Sequence, residues 1–123
     1  MAQKTFGQIS CEISHSALAA FNCASLIQPF CDHLTSSAVK FNGDDELFRC
    51  FFNSTTNGTC ILRIAASSTA PAGQISDDST CSDTLFAISG QCPKGGFGSL
   101  PGATMSYAIN AIAGGCNMLI APP

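Results

Sequence analysis

ELFRCFFN at residues 46–53 and TCILRIAA at residues 59–66, separated by STTNG at residues 54–58, decide the reading of the fold. Both outer segments alternate with the two-residue period of a strand and are rich in the aromatic and β-branched residues that strands favour. The Asn57-Gly58 pair tolerates the positive φ of a tight turn, so the whole stretch predicts a β-hairpin. On this reading one face collects Phe48, Cys50, Phe52, Cys60, Leu62 and Ile64, which is expected to be core. The other face, Arg49, Phe51, Ile61 and Arg63, is expected to be at least partly exposed.

Working outward toward the N-terminus, residues 5–13 alternate in the strand manner, with Ile9, Cys11 and Ile13 on one side. Ser14 and Ser16 offer helix caps. The following helix would bury a stripe of Ala20, Cys23, Ile27, Phe30 or Cys31, and Leu34. Pro29 predicts a kink or two short helices there. Toward the C-terminus, residues 67–78 read as a loop. A second helix capped by Asp78 or Ser79 would bury Cys81, Leu85, Ile88 and Cys92, with Gly90 weakening its end and Pro93 stopping it. Lys94 to Gly102 reads as a glycine-rich loop. Thr104 to Ile112 alternates again, with Met105, Tyr107 and Ile109 on one side, and Gly114-Gly115 breaks that strand before a last short one over Cys116 to Ile120.

The order strand, helix, hairpin, helix, strand, strand gives two helices that each need a sheet to cover. The expected class is α+β: a two-layer α/β sandwich with a ferredoxin-like antiparallel sheet of about five strands. Free sheet edges would leave a template for pairing with a second copy, so a homodimer through those edges is a candidate assembly.

The 123 residues suit one domain over residues 5–123, with Met1-Ala2-Gln3-Lys4 reading as an expression start in place of a removed signal peptide. Eight cysteines, Cys11, Cys23, Cys31, Cys50, Cys60, Cys81, Cys92 and Cys116, are dispersed, with no C-x-x-C pair. A zinc site needs close ligand pairs, so the pattern predicts disulfides and an oxidising compartment rather than metal. Roughly a hundred pairings of eight cysteines stay open at this stage. The sequons at Asn53 and Asn57 are glycosylation acceptors and point independently to secretion. A net charge of −3 with 11% charged residues leaves no basic footprint for nucleic acid. The 46% hydrophobic content means either an exposed apolar patch or a core rich in alanine and cysteine.

No catalytic constellation emerges. No G-x-S-x-G elbow accompanies His15 or His33, which lie eighteen residues apart, and the chain reads as non-enzymatic. Residues 42–46, NGDDE, lack the spaced oxygen ligands of a calcium loop, and residues 95–98, GGFG, lack the G-K-[ST] ending of a phosphate loop. No cofactor is implied. Arg49 and Arg63, read as sharing a hairpin face with Phe51 and extended by Tyr107, are the predicted ligand-binding residues: guanidinium donors beside apolar area suit sugar hydroxyls or a partner protein.

The helix bearing Cys23 and Cys31, the turn FNGDDE at 41–46, the strand LFRCFFN at 47–53, the block CSDTLFAISGQCPKGG at 81–96 and the closing SYAINAIAGGC at 106–116 together resemble fungal small secreted cysteine-rich proteins. They are most similar to the mushroom glycan-binding family typified by a lectin of the shaggy ink cap. A related architecture occurs in smut-fungus viral killer toxins and plant-pathogen effectors. The resemblance implies an α/β sandwich with four disulfides, a dimer of joined sheets, and an extracellular glycan as ligand. The alternative it carries is an effector or toxin acting on a host surface protein or membrane. The chain departs from the usual lectin pattern in having no tryptophan and one tyrosine.

Overall fold

In the computed structural model, the described residues are 8–11, 23–53, 58–100 and 103–113. Met1 to Lys4, His15, the caps Ser14 and Ser16, Ala20, Asn57, Cys116 and the last expected strand lie outside them, as does the Asn53 side chain.

The elements are β1 (Gln8–Cys11), α1 (Ala24–Ser36), β2 (Lys40–Phe41), β3 (Glu46–Asn53), β4 (Gly58–Ala66), β5 (Gln74–Ile75), α2 (Asp78–Gln91), β6 (Gly95–Ser99) and β7 (Met105–Ala113). Five strands form one antiparallel sheet in the order β1-β6-β7-β4-β3, and β2 pairs with β5 apart from it. Both helices lie on one face of the sheet. Ile27, Phe30, Cys31 and Leu34 of α1 and Cys81, Leu85 and Ile88 of α2 close over Leu62, Ile64, Met105, Tyr107 and Ile109.

The two-layer α/β class therefore holds, while the ferredoxin-like strand order does not. A ferredoxin-like sheet would place the first strand inside, parallel to a neighbour; here β1 is an edge strand, antiparallel to β6. The centre of the sheet is the run β6-β7-β4, because the last hairpin inserts between β1 and the first hairpin.

Pro29 does not divide α1, which runs uninterrupted to Ser36. The missing N–H leaves the Ser25 carbonyl without its helical donor. Ser25 and Pro29 both lie on the exposed side, where water can take that place. The cap of α2 is Asp77, one residue earlier than expected: its Oδ2 accepts from the Thr80 N–H at 2.9 Å. The acidic turn closes on itself, Asp45 Oδ2 accepting from the Asn42 N–H at 2.7 Å and the Asn42 Oδ1 from the Gly73 N–H at 2.9 Å.

Disulfides Cys23–Cys60, Cys31–Cys81 and Cys11–Cys92 tie α1 to β4, α1 to α2, and β1 to the end of α2. Cys50 is also disulfide-bonded, to a residue outside the described set.

The expected glycine-rich loop is partly strand β6, and its glycines are there because backbones approach closely. Gly95 has φ +90°, and a Cβ at Gly96 would run into the Ser10 carbonyl oxygen and sit 2.9 Å from the Cys11 Cα. Both obstacles are backbone of β1, so they cannot swing aside. Gly96→Ala should cost about 2 kcal/mol, the usual scale of overpacking a filled site. Chemical denaturation would show this as a lower midpoint at unchanged slope, and a midpoint equal to wild type would contradict the close approach.

Where the helices meet, Gln28 Nε2 donates to Asp32 Oδ1 at 2.8 Å and to Asp78 Oδ1 at 3.2 Å. Hydrogen bonding to Asp32, then desolvation and the Asp32 charge, raise the Asp78 pKa above its ordinary value. The folded state thus holds this proton more tightly than the unfolded state, and acidification through the carboxylate range relieves a cost present at neutral pH. Asp78→Asn should melt slightly higher than wild type at neutral pH, and the difference should shrink as pH falls. Melting curves across that range test the sign.

Candidate functional site

The β3–β4 pairing joins Asn53 to Gly58, Phe51 to Cys60, Arg49 to Leu62 and Leu47 to Ile64. Gly58 is the first residue of β4 rather than the last of the turn, which leaves four residues in the loop. That parity sets the faces, since a one-residue slip of register moves a whole strand's side chains to the other side. Phe48, Cys50 and Phe52 therefore share a face with Ile61 and Arg63, not with Leu62 and Ile64. The expected core set is corrected accordingly: Leu62 and Ile64 are fully buried, whereas Phe48 and Phe52 are 38% and 47% exposed.

The same correction separates the predicted ligand-binding residues. Arg63 stands on the sheet face away from the helices. Arg49 and Phe51 stand on the helix side, at the margin of β3, and line a small apolar groove with Pro29, Phe30 and His33. Arg49 Nη1 donates weakly to the Phe48 carbonyl at 3.4 Å. Tyr107 is a core residue at 2% exposure, its hydroxyl 2.7 Å from Ser76 Oγ, and burial pushes its pKa up. Its hydroxyl is engaged with Ser76 on the helix side, while Tyr107 is also among the residues that line the depression beside Arg63.

What the sheet does assemble around Arg63 is a row across four strands. Phe48 of β3 pairs with Arg63 of β4, Arg63 with Ala108 of β7, and Ala108 with Phe97 of β6. Directly paired residues of antiparallel strands point to one face. Phe97 is 50% exposed. Ala65, Gly96, Ser106 and Ala108 are small, so the floor between the larger side chains sinks into a depression also lined by Glu46, Arg63, Phe97 and Asn110.

Arg63 Nε lies 3.3 Å from Glu46 Oε1, with the side chains 43% and 48% exposed. The contact is an ion pair, and the Nε itself is buried without a hydrogen-bond partner. The guanidinium is thus oriented by a carboxylate while retaining unused donor capacity. Apolar rings, a fork of donors, a carboxylate acceptor and the Asn110 amide converge on one shallow, open surface. Such a surface can stack a flat apolar face and bond a rim of hydroxyls. Among the described residues no group of three His, Cys, Asp or Glu could hold a metal ion.

Sequence reasoning missed Phe48, Phe97, Glu46 and Asn110 as partners of Arg63. Phe48 was placed in the core by the parity error, and Phe97 was hidden in a segment read as loop.

A family model described as glycan binding domain Y3 matches residues 22–116, well over half of the chain and the whole of the hairpin, α2 and β7. No curated protein matches the chain.

Proposed function

The chain belongs to the Y3 family of glycan-binding domains, and from that premise we propose that it is a secreted, non-enzymatic lectin of fungal type that binds extracellular glycans on the open sheet face around Arg63. The observation that carries the placement is the row Phe48, Arg63, Ala108, Phe97. It sets an oriented guanidinium between two exposed rings on rigid strands, the arrangement in which a binding group is held with least entropy cost.

The non-enzymatic part is supported by the family match, which is to a glycan-binding domain. Secretion is supported by the disulfides, and among the described residues no helix is long and apolar enough to cross a membrane. The proposal includes a fourth bridge, from Cys50 to Cys116, in which case intact mass should rise by eight hydrogens on full reduction. It also includes a homodimer through the edge strand β1 or β3, checked by sedimentation.

The killer-toxin or effector relation, with a host surface protein as partner, is the second reading. Phe52 and Phe86, 47% and 44% exposed, lie outside the depression and favour it. A glycan array probed with the refolded protein decides. Saturable binding to defined oligosaccharides supports the lectin, and absence of binding together with toxicity to cells supports the second reading.

A further inference from the structure

Resting on the glycan reading above, the geometry goes further and constrains the length of what is bound. We infer that the open face takes a linear oligosaccharide of about four units laid across the strands, with Phe97 and Phe48 as its two end platforms and Arg63 between them.

The four positions of the row occupy β6, β7, β4 and β3 in succession, one side chain per strand. Three cross-strand steps separate Phe97 from Phe48, a span of about 15 Å at the usual spacing of directly opposed residues. A pyranose ring with its bridging oxygen advances a chain by about one strand spacing, so successive units fall in register with successive strands. One sugar can cover Phe97 or Phe48 but not both. A chain that covers both puts one unit over Ala108, whose methyl leaves room for it, and one beside Arg63, whose side chain is 43% exposed.

Among the described residues the row continues beyond Phe97 to Ser10 of β1, and Phe48 stands on the edge strand β3. Among the described residues neither end presents a bulky side chain that would demand a chain terminus. The face is therefore suited to an internal stretch of a longer glycan as well as to a free tetrasaccharide.

The test is calorimetric titration with two ladders, β-1,4-linked N-acetylglucosamine and β-1,4-linked glucose, each from one to six units, alongside an array holding branched glycans. Affinity should climb with length to about four units and then level off. Phe48→Ala should lower affinity for the four-unit ligand about tenfold, the scale of one lost aromatic contact, while leaving the two-unit ligand unchanged. Phe48→Tyr should restore the loss, and melting curves should show both variants folded, since Phe48 is exposed. A single unit binding as tightly as four, a silent Phe48→Ala at four units, or binding confined to branched glycans would each overturn the length inference and leave the lectin reading standing. No binding in either ladder or on the array would overturn both.

Discussion

Replacing Cys31 and Cys81 together with alanine should lower stability by about 4 kcal/mol, the chain-entropy value for a loop of their separation, 50 residues. Both cysteines are fully buried, and the bridge is the covalent tie between the two helices that form the upper layer. Released, α1 and α2 keep their apolar contacts and the Gln28–Asp78 hydrogen bond, and the unfolded chain regains the freedom that the loop removed. Cys11–Cys92 closes a longer loop of 81 residues, but Cys11 is exposed on an edge strand. Its removal should leave the helical layer intact and melt higher than the helix-bridge variant. Guanidinium denaturation of the two double variants checks the order. A Cys31/Cys81 variant within about 1 kcal/mol of wild type would mean the layer is held by packing alone.

The second large effect is on binding. Arg63→Ala should weaken glycan binding by about 3 kcal/mol, more than a hundredfold, because it removes the central donor of the row. Folding should be nearly untouched: the ion pair with Glu46 is partly exposed, and such pairs contribute about 0–1 kcal/mol. Arg49→Ala is the matched control, since Arg49 carries the same charge on the opposite side of the sheet. It should melt and bind like wild type. Equal losses in both variants would point to a long-range charge effect rather than a site, and unfolding of Arg63→Ala would make Arg63 structural.

The contrast between those two arginines shows where the sequence could be read and where it could not. Strand and helix existence follow from burial, which leaves its period in the chain: the stripe Ile27, Phe30, Cys31, Leu34 and the series Cys81, Leu85, Ile88, Cys92 are buried as their spacing demanded. Register carries no such period. Whether Gly58 ends the turn or begins β4 changes nothing in the local pattern, because β3 has aromatic residues at both parities, yet it moves Phe48 and Phe52 from core to surface. Strand β6 was illegible for a different reason. Gly95, Gly96 and Gly98 lack the side chains from which alternation is read, and the smallness of Gly95 and Gly96 answers close contacts with β7 and with the distant β1. The strand order failed likewise, since it is fixed by which long-range pairs form rather than by any one segment. Tyr107 was read as extending the Arg49–Arg63 face, while its alternation with Met105 and Ile109 put it among the buried residues, where it is 2% exposed.

The account stands on the open face of the sheet being the glycan site, and amide chemical-shift mapping of the protein labelled with nitrogen-15 tests that most directly. On titration with the glycan that binds best on the array, the largest shifts should fall on Arg63, Phe97, Ala108 and Asn110, with His33, Arg49 and Phe51 nearly still. Shifts concentrated instead on His33, Arg49 and Phe51 would place the ligand in the groove beside α1 and contradict the assignment.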